Sequence, residues 1–462
     1  MNLSTISFIF KNKDMRKRIL AVIGMVIVFR FLSHVPIPLG EPSQLRQLLN
    51  NIFSGQQLFG FIDLLSGGAL ANFSIMLMGL GPYINSSIIM QLLTKAIPKL
   101  ETLNKEGETG RRKINQYTRI LTLPLAIVQS IGVIFLLRQT ASAQAGIDIG
   151  LNANLFDWVV MVSSLVGGSM LLMWLGELVS EQGVGNGISL LIFAGIISSL
   201  PSTIASMVKS VFDDTNKLSI FGQTLPVNGK ALLISSGMAI GTIILTFILV
   251  KLNEAQRTVT ISYAKRVGGN QAYGGVDSIL PIKLITAGVV PIIFAVAFLS
   301  LPSFAGQLMQ NANATWAQDL GRTLVEWFQS PQGGAPVAGI AGWLYPILYF
   351  LLVVVFTYFY TSITFNSKEL AENLQKQGGF IPGIRPGSET EKYLDTIVVR
   401  LTLFGSLALG ILAILPILLE RWLGTTQLAI SGTGILIIVS VALETLRQIE
   451  SRALMISYDS YE

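Results

Sequence analysis

The stretch ALLISSGMAIGTIILTFILV, from Ala231 to Val250, runs for 20 residues without one charged side chain. A helix rises 1.5 Å per residue, so about 20 such residues cross a hydrocarbon core about 30 Å thick. Nine more apolar stretches of similar length begin near Ile19, Phe73, Ile120, Trp158, Ile188, Ile279, Trp343, Leu401 and Gln427. Nothing in water needs ten such segments. In a chain of 462 residues, 51% hydrophobic and 13% charged, they define an all-α polytopic membrane protein with ten transmembrane helices. Cysteine is absent, which excludes disulfides, thiol chemistry and cysteine metal sites.

The charges between the spans orient the chain. With the loops alternating across the membrane, 24 of the 32 Lys and Arg fall on the side of the N-terminus and 7 on the other, with Arg30 inside the first span. A bias of that size places both termini of a multi-pass membrane protein in the cytoplasm. Residues 1–18 mix Ile6, Phe8, Ile9 and Phe10 with basic side chains and suit an amphipathic cytoplasmic segment. The basic and then apolar N-terminus has the outline of a signal peptide. No small-residue cleavage site follows it, and the span carries Arg30 and ends at Pro36 and Pro38, so it is expected to be retained.

Five spans, a basic cytoplasmic insertion and five more spans make a 5+5 arrangement. An odd number per half puts the halves in opposite orientations, the inverted-repeat logic of many transport proteins. The expected division is an N-terminal half over 19–208, an external loop over 209–230, a C-terminal half over 231–450 and a short cytoplasmic tail over 451–462. Cytoplasmic loops are expected over 251–283 and 366–400. In the first, Val259, Ile261 and Tyr263 alternate before a turn at Gly268-Gly269-Asn270, predicting a β-hairpin that projects from the membrane. In the second, Lys368 to Lys376 predicts a helix, after which Gly378 to Gly387 is too rich in Gly and Pro to continue it. Long, structured, basic loops of this kind serve as docking surfaces. Before the second span, residues 61–72 are moderately apolar, too short to cross and broken by Gly67-Gly68, which predicts a re-entrant segment.

Gly79, Gly81 and Pro82 in the second stretch, Pro201 in the fifth, and Pro281, Gly288 and Pro291 in the seventh predict kinks. Ionisable residues within the spans are nearly confined to Arg30 and Lys283, and His34 is the single histidine. No midplane carboxylate for ion coupling, no HExxH, no Cys–His pair and no phosphate-binding Gly-Lys-Ser loop is present, so an enzyme is not expected, nor a metal or cofactor. Ile84 and Ile88 share a helix face, as do Ile188 and Ile192; by themselves these are ordinary packing or lipid-facing positions.

Several strings resemble the SecY family, the central subunits of the bacterial protein-conducting channel. They are Ser66-Gly67-Gly68-Ala69-Leu70, Pro82-Tyr83-Ile84 with Ser87-Ile88-Ile89 and Gln91-Leu92-Leu93, Lys105-Glu106-Gly107-Glu108 with Gly110-Arg111-Arg112-Lys113-Ile114, and Gln116-Tyr117-Thr118-Arg119. Met173-Trp174-Leu175-Gly176-Glu177, Gly185-Asn186-Gly187-Ile188-Ser189, Tyr263-Ala264-Lys265-Arg266 and Phe380-Ile381-Pro382-Gly383-Ile384-Arg385-Pro386-Gly387 follow in order. The resemblance implies two clamshell halves around a pore closed by an aliphatic ring of Ile84, Ile88, Ile188, Ile192, Ile293 and Leu412. It implies that Phe61, Ile62, Asp63, Leu64, Leu65, Ser66, Gly67, Gly68, Ala69 and Leu70 belong to a plug. It also implies a lateral gate with Ser87 and Gln91 on the second span, Gln129 on the third, and Thr286 and Pro291 on the seventh, where many relatives carry Asn at the Thr286 position. Arg257, Lys265, Arg266 and Arg385 become a docking surface for the SecA ATPase or the ribosome. The other implied partners are SecE-like and SecG-like small membrane subunits, precursor proteins bearing signal sequences, and membrane lipid; no cofactor and no DNA are implied. The function so implied is translocation of unfolded secretory proteins and insertion of membrane proteins, and the location so implied is the plasma (inner) membrane. The rival reading from topology alone is a secondary transporter of small solutes, against which the missing midplane carboxylates argue.

Overall fold

The computed structural model describes residues 12–37, 66–69, 72–145, 155–212, 217–220, 223–263, 266–268, 271–273, 277–288, 290–310, 312, 314–329, 341–423 and 427–459. Each of the ten apolar stretches falls on one helix. In chain order these are α1 (Lys13–Leu32), α2 (Gly81–Ala96), α4 (Glu108–Ala145), α5 (Leu155–Glu181), α6 (Gly187–Val211), α7 (Gly229–Glu254), α8 (Val290–Met309), α10 (Ala341–Thr364), α12 (Ser388–Leu423) and α13 (Gln427–Asp459). Three shorter helices join them: α3 (Pro98–Lys105), α9 (Thr315–Phe328) and α11 (Ser367–Lys376). Among the described residues, seven helices are long and apolar enough to cross a membrane. Their lipid-facing sides are apolar too: Ile243, Phe247, Phe404 and Ile411 are exposed. In a hydrocarbon solvent such exposure costs nothing, while every backbone group stays paired within its helix.

Two helices start later than hydropathy suggests. The second begins at Gly81, with Pro82 in its first turn; residues 75–80, apolar as they are, form buried turns, with Gly79 at φ 54°. The seventh begins at Val290, with Pro291 in its first turn. Ile279, Pro281 and Lys283 lie instead in a strand, Thr286 in a bend, and Gly288 in a turn at φ 61°. These prolines therefore start helices or sit in a strand. Pro fits the first turn because its missing N–H would have had no partner there. Pro201 does lie inside its helix.

The two loops expected to be cytoplasmic share one small domain. Strand β3 (Gln256–Tyr263) pairs antiparallel with β6 (Asp277–Lys283) on one side and with β7 (Gly379–Phe380) on the other. Beyond them β4 (Arg266–Gly268) and β5 (Gln271–Tyr273) form the hairpin that the alternation predicts. Val259 and Ile282 from the first loop bury against Ile381, Leu394, Ile397 and Val398 from the second. Helix α12 thus begins in this domain and ends in the membrane bundle. Outside the bundle on the other face, β1 (Lys217–Ile220) and β2 (Gln223–Asn228) form a hairpin between α6 and α7.

Helices α1, α2, α4, α5 and α6 pack among themselves, as do α7, α8, α10, α12 and α13. The two groups meet along two seams. On one, α6 packs on α7 and α13; on the other, α2 and α4 pack on α8. Between the seams lies the largest buried cluster of the molecule.

Candidate functional site

Four helices send aliphatic side chains into that cluster: Ile84 and Ile88 from α2, Ile192 from α6, Ile293 from α8 and Leu412 from α12. All five are between 1% and 6% exposed, and Ile188 is partly buried against them. The six residues singled out in the sequence are therefore in one cluster. Local chemistry aims each of them. Pro82 starts α2 two residues before Ile84, whose N–H donates to the Leu80 carbonyl. Asn186 caps α6: its Oδ1 accepts from the N–H of Ile188 at 3.1 Å and of Ser189 at 3.4 Å. Such a cap satisfies amides that the helix itself leaves free. Gly187, next to it, lies so close to α5 that a Cβ there would stand 1.9 Å from the Gly176 carbonyl oxygen. The Gly-Asn-Gly string is a docking joint that fixes Ile188 and Ile192 against the fourth span. Gly410 plays the same part for Leu412: a Cβ there would stand 2.7 Å from the Phe350 ring of α10.

The re-entrant segment enters the same cluster. Ser66 and Ala69 are fully buried, and Ala69, Met76 and Leu80 belong to the cluster that holds the aliphatic residues. Phe61, Ile62, Asp63, Leu64, Leu65 and Leu70 lie outside the described residues. The exit from the segment is pinned to the end of the first helix. The Ile37 N–H donates to the Phe73 carbonyl at 2.9 Å, the Ile75 N–H to the Val35 carbonyl at 3.0 Å, and Ser74 Oγ to the Leu32 carbonyl at 2.8 Å.

Of the residues expected at a lateral gate, Ser87 and Gln91 bond each other within α2, Gln91 Nε2 donating to Ser87 Oγ at 3.0 Å. Gln129 on α4 is half-buried, Pro291 sits buried in the first turn of α8, and Thr286 precedes that helix. The α4–α8 contact is close: a Cβ on Gly132 would meet the Phe304 ring at 2.5 Å. Besides Asn85 and Gln91, polar residues already visible in the sequence of α2, these helices carry two polar groups that sequence reasoning missed, on α4 and α8. Asn85 Oδ1 and Gln91 Oε1 on α2, Ser130 Oγ on α4 and Ser303 Oγ on α8 are buried without a hydrogen-bond partner. Unpaired polar atoms lower the cost of separating the faces that hold them, because water can reach them when the faces part. No sequence signal marks the two serines, since Ser is common in membrane helices.

Arg257 is exposed on β3 and Arg385 is exposed in the turn before α12. The Arg385 carbonyl accepts from Thr390 Oγ1 at 2.9 Å, which braces that turn. Lys265 lies outside the described residues, and of Arg266 only the backbone in β4 is described. Lys283, read from the sequence as the foot of the seventh span, sits in β6 opposite Gln256. Partial burial holds its ammonium below the ordinary lysine range, nearby Arg447 adds to that, and Glu444 opposes it. Among the described residues no cluster of His, Asp or Glu could hold a metal ion.

Comparison with known proteins gives this geometry a family. The SecY family profile matches residues 74–446. The chain is 37% identical to the protein translocase subunit SecY of Streptomyces coelicolor over 457 residues, 98% of each chain. It is 39% identical to that of Corynebacterium glutamicum over 469 residues, 99% of each. The SecY of Aquifex aeolicus is 39% identical over 454 residues, 98% of each. In fold it resembles a solved protein-conducting channel with a TM-score of 0.63 at 18% identity, covering 93% of this chain and 90% of that one. Sec61 in a canine ribosome-channel complex from the endoplasmic reticulum aligns with a TM-score of 0.57 at 16% identity, over 93% and 90% of the two chains. A bundle whose two helix groups close on a buried aliphatic cluster, and whose sequence matches translocase subunits from end to end, belongs to the SecY family of protein-conducting channels.

Proposed function

We propose that the channel is sealed at rest by a ring of Ile84, Ile88, Ile188, Ile192, Ile293 and Leu412, backed by the re-entrant segment over 61–72 as a plug. It opens sideways where α2 and α4 meet α8. The observation that carries this reading is the convergence of those aliphatic side chains, from four helices, with Ala69 of the re-entrant segment in one cluster. A passing chain can present any side chain, so the constriction cannot rely on specific hydrogen bonds. A narrow aliphatic ring excludes water and ions by dewetting and still yields around a polypeptide. The sideways opening lets apolar segments partition into lipid, with a central Lys, Arg or Asp costing about 2.5–3.5 kcal/mol. No ion-coupling carboxylate supports the solute-transporter reading.

The division into halves at 19–208 and 231–450 follows the two helix groups. The charge bias supports both termini in the cytoplasm, and the bacterial SecY relatives support the plasma membrane. The chain carries no nucleotide-binding loop, so the drive comes from partners: a SecA ATPase or a ribosome on the Arg257, Lys265, Arg266 and Arg385 face, with SecE-like and SecG-like subunits beside the bundle. The ribosome-channel complex that contains Sec61 supports the ribosome in that role. Arg385→Glu is expected to slow motor-driven translocation about fivefold or more, since reversing a charge on a docking face weakens encounter with an acidic partner. Normal rates with intact membrane levels would remove Arg385 from that face.

The whole reading is tested by a photo-crosslinker at Ile293 with a secretory precursor stalled midway. Crosslinking that requires the signal sequence is the expected result. Labelling of lipid alone would take Ile293 out of the conduit.

A further inference from the structure

Helix α1 carries a cation where a membrane helix has no use for one. Arg30 lies in its last turn, after a run in which Leu20, Ile23, Ile27 and Val28 are exposed as lipid-facing residues. A charge at such a depth faces the protein interior and needs a partner there. Its Nη1 donates to the backbone carbonyl of Gly67, inside the re-entrant segment. The contact is built from both sides. Gly67 and Gly68 both hold positive φ, 70° and 80°, which turns the carbonyl toward α1. A Cβ on Gly67 would stand 2.6 Å from the ring of Phe29, the residue beside Arg30, and 3.0 Å from the Cα of Gly195 on α6. A Cβ on Gly68 would lie 4.0 Å from the guanidinium itself. The Gly pair is thus clasped between the first and fifth spans, with Phe29 buried at 1% exposure against the aliphatic cluster.

We infer that Arg30 is the positioning residue that holds the re-entrant segment in its closed seat, acting through the Gly67 carbonyl; this rests on the plug reading above. The clasp engages the main chain, so it asks nothing of the side chains in the segment beyond the two glycines. It also sits at the segment's interior turn, while the other end is pinned at Ser74. Withdrawal of the segment therefore breaks the Arg30–Gly67 hydrogen bond and leaves the Ser74 end as the pivot.

The test uses the full chain, expressed and purified with the translocon subunits of its own membrane and placed in planar bilayers. Resting conductance and export of a precursor with a defective signal sequence are read for Arg30→Gln, Arg30→Lys, Gly67→Ala and a deletion of 61–72. Losing a charged hydrogen bond predicts about a tenfold rise in resting open probability for Arg30→Gln. Gly67→Ala, whose methyl group displaces the carbonyl, should behave alike, both should relax signal stringency, and Arg30→Lys should restore most of the closure. Wild-type conductance in Arg30→Gln and Gly67→Ala beside a leaking deletion would overturn the clasp and leave the plug standing. A silent deletion would overturn the plug and the clasp with it. Should Arg30→Gln fail to accumulate, Gly67→Ala decides: raised conductance supports the clasp, and wild-type conductance reduces Arg30 to a folding role.

Discussion

Ile293→Asn is expected to raise the ion conductance of the idle channel about tenfold or more, with Ile84→Asn close behind. Both side chains are nearly inaccessible, at 6% and 3% exposure, inside a cluster that is mostly aliphatic. A carboxamide placed there costs about 1–3 kcal/mol unless it finds a hydrogen-bond partner. The other five members of the ring are aliphatic and offer none, so the partner recruited is water, and a wetted constriction conducts. Polarity and not volume carries the effect. Ile→Val at the same positions, which costs about 0.5–1.5 kcal/mol in a packed core, should leave conductance near the wild type. Single-channel recording in planar bilayers separates the two cases. Unchanged conductance in both Asn variants would take these residues out of the seal.

A large loss of stability is expected from Gly168→Ala. Gly168 faces the turn that follows the re-entrant segment, where a Cβ would stand 2.0 Å from the Ile75 carbonyl oxygen and 2.8 Å from its carbon. The obstacle is main chain, which cannot swing aside as a side chain can. The adjacent Ser169 Oγ donates to the Gly79 carbonyl at 3.1 Å and ties the same two surfaces together. The methyl group therefore forces α5 off residues 75–79, at or above the upper end of the 1–3 kcal/mol that overpacking costs. Gly167 is the internal control, because a Cβ there meets nothing within 4 Å. Gly168→Ala should accumulate poorly and melt early in detergent while Gly167→Ala matches the wild type. Equal melting of the two variants would refute the close approach.

The bundle was legible because lipid imposes a single rule. A backbone that crosses hydrocarbon must pair with itself over about 20 residues, so length and composition reveal a span without help from neighbours. Hydropathy reports surroundings, however, and not backbone shape. Residues 75–80 and Ile279 to Lys283 are apolar enough to count as membrane, yet the first are turns and the second a strand. Pro82 and Pro291 were the corrective signal: each marks the first turn of a helix. The alternation at Val259 and Ile261 announced a strand. Its second neighbour, Gly379–Phe380, is only two residues long, too short to leave a pattern. The six aliphatic residues were invisible as a set, since isoleucines at helical spacing also describe lipid contact and ordinary packing. Only the resemblance to a family drew them together. Arg30 stood out as a charge in an apolar run, but its partner is a main-chain carbonyl, which no side-chain pattern can encode.

The passage of α12 from the sheet domain into the bundle makes it a mechanical part. Its Leu394, Ile397 and Val398 are set in the small sheet domain outside the bundle, while its Leu412 stands in the aliphatic cluster. The 18 residue steps from Leu394 to Leu412 cross no proline. At 1.5 Å per residue they form a rigid arm of about 27 Å, along which a tilt of about 5° at the sheet end displaces the far end by about 2 Å. Torque applied by whatever grips the sheet is thus delivered to the aliphatic cluster along one continuous helix.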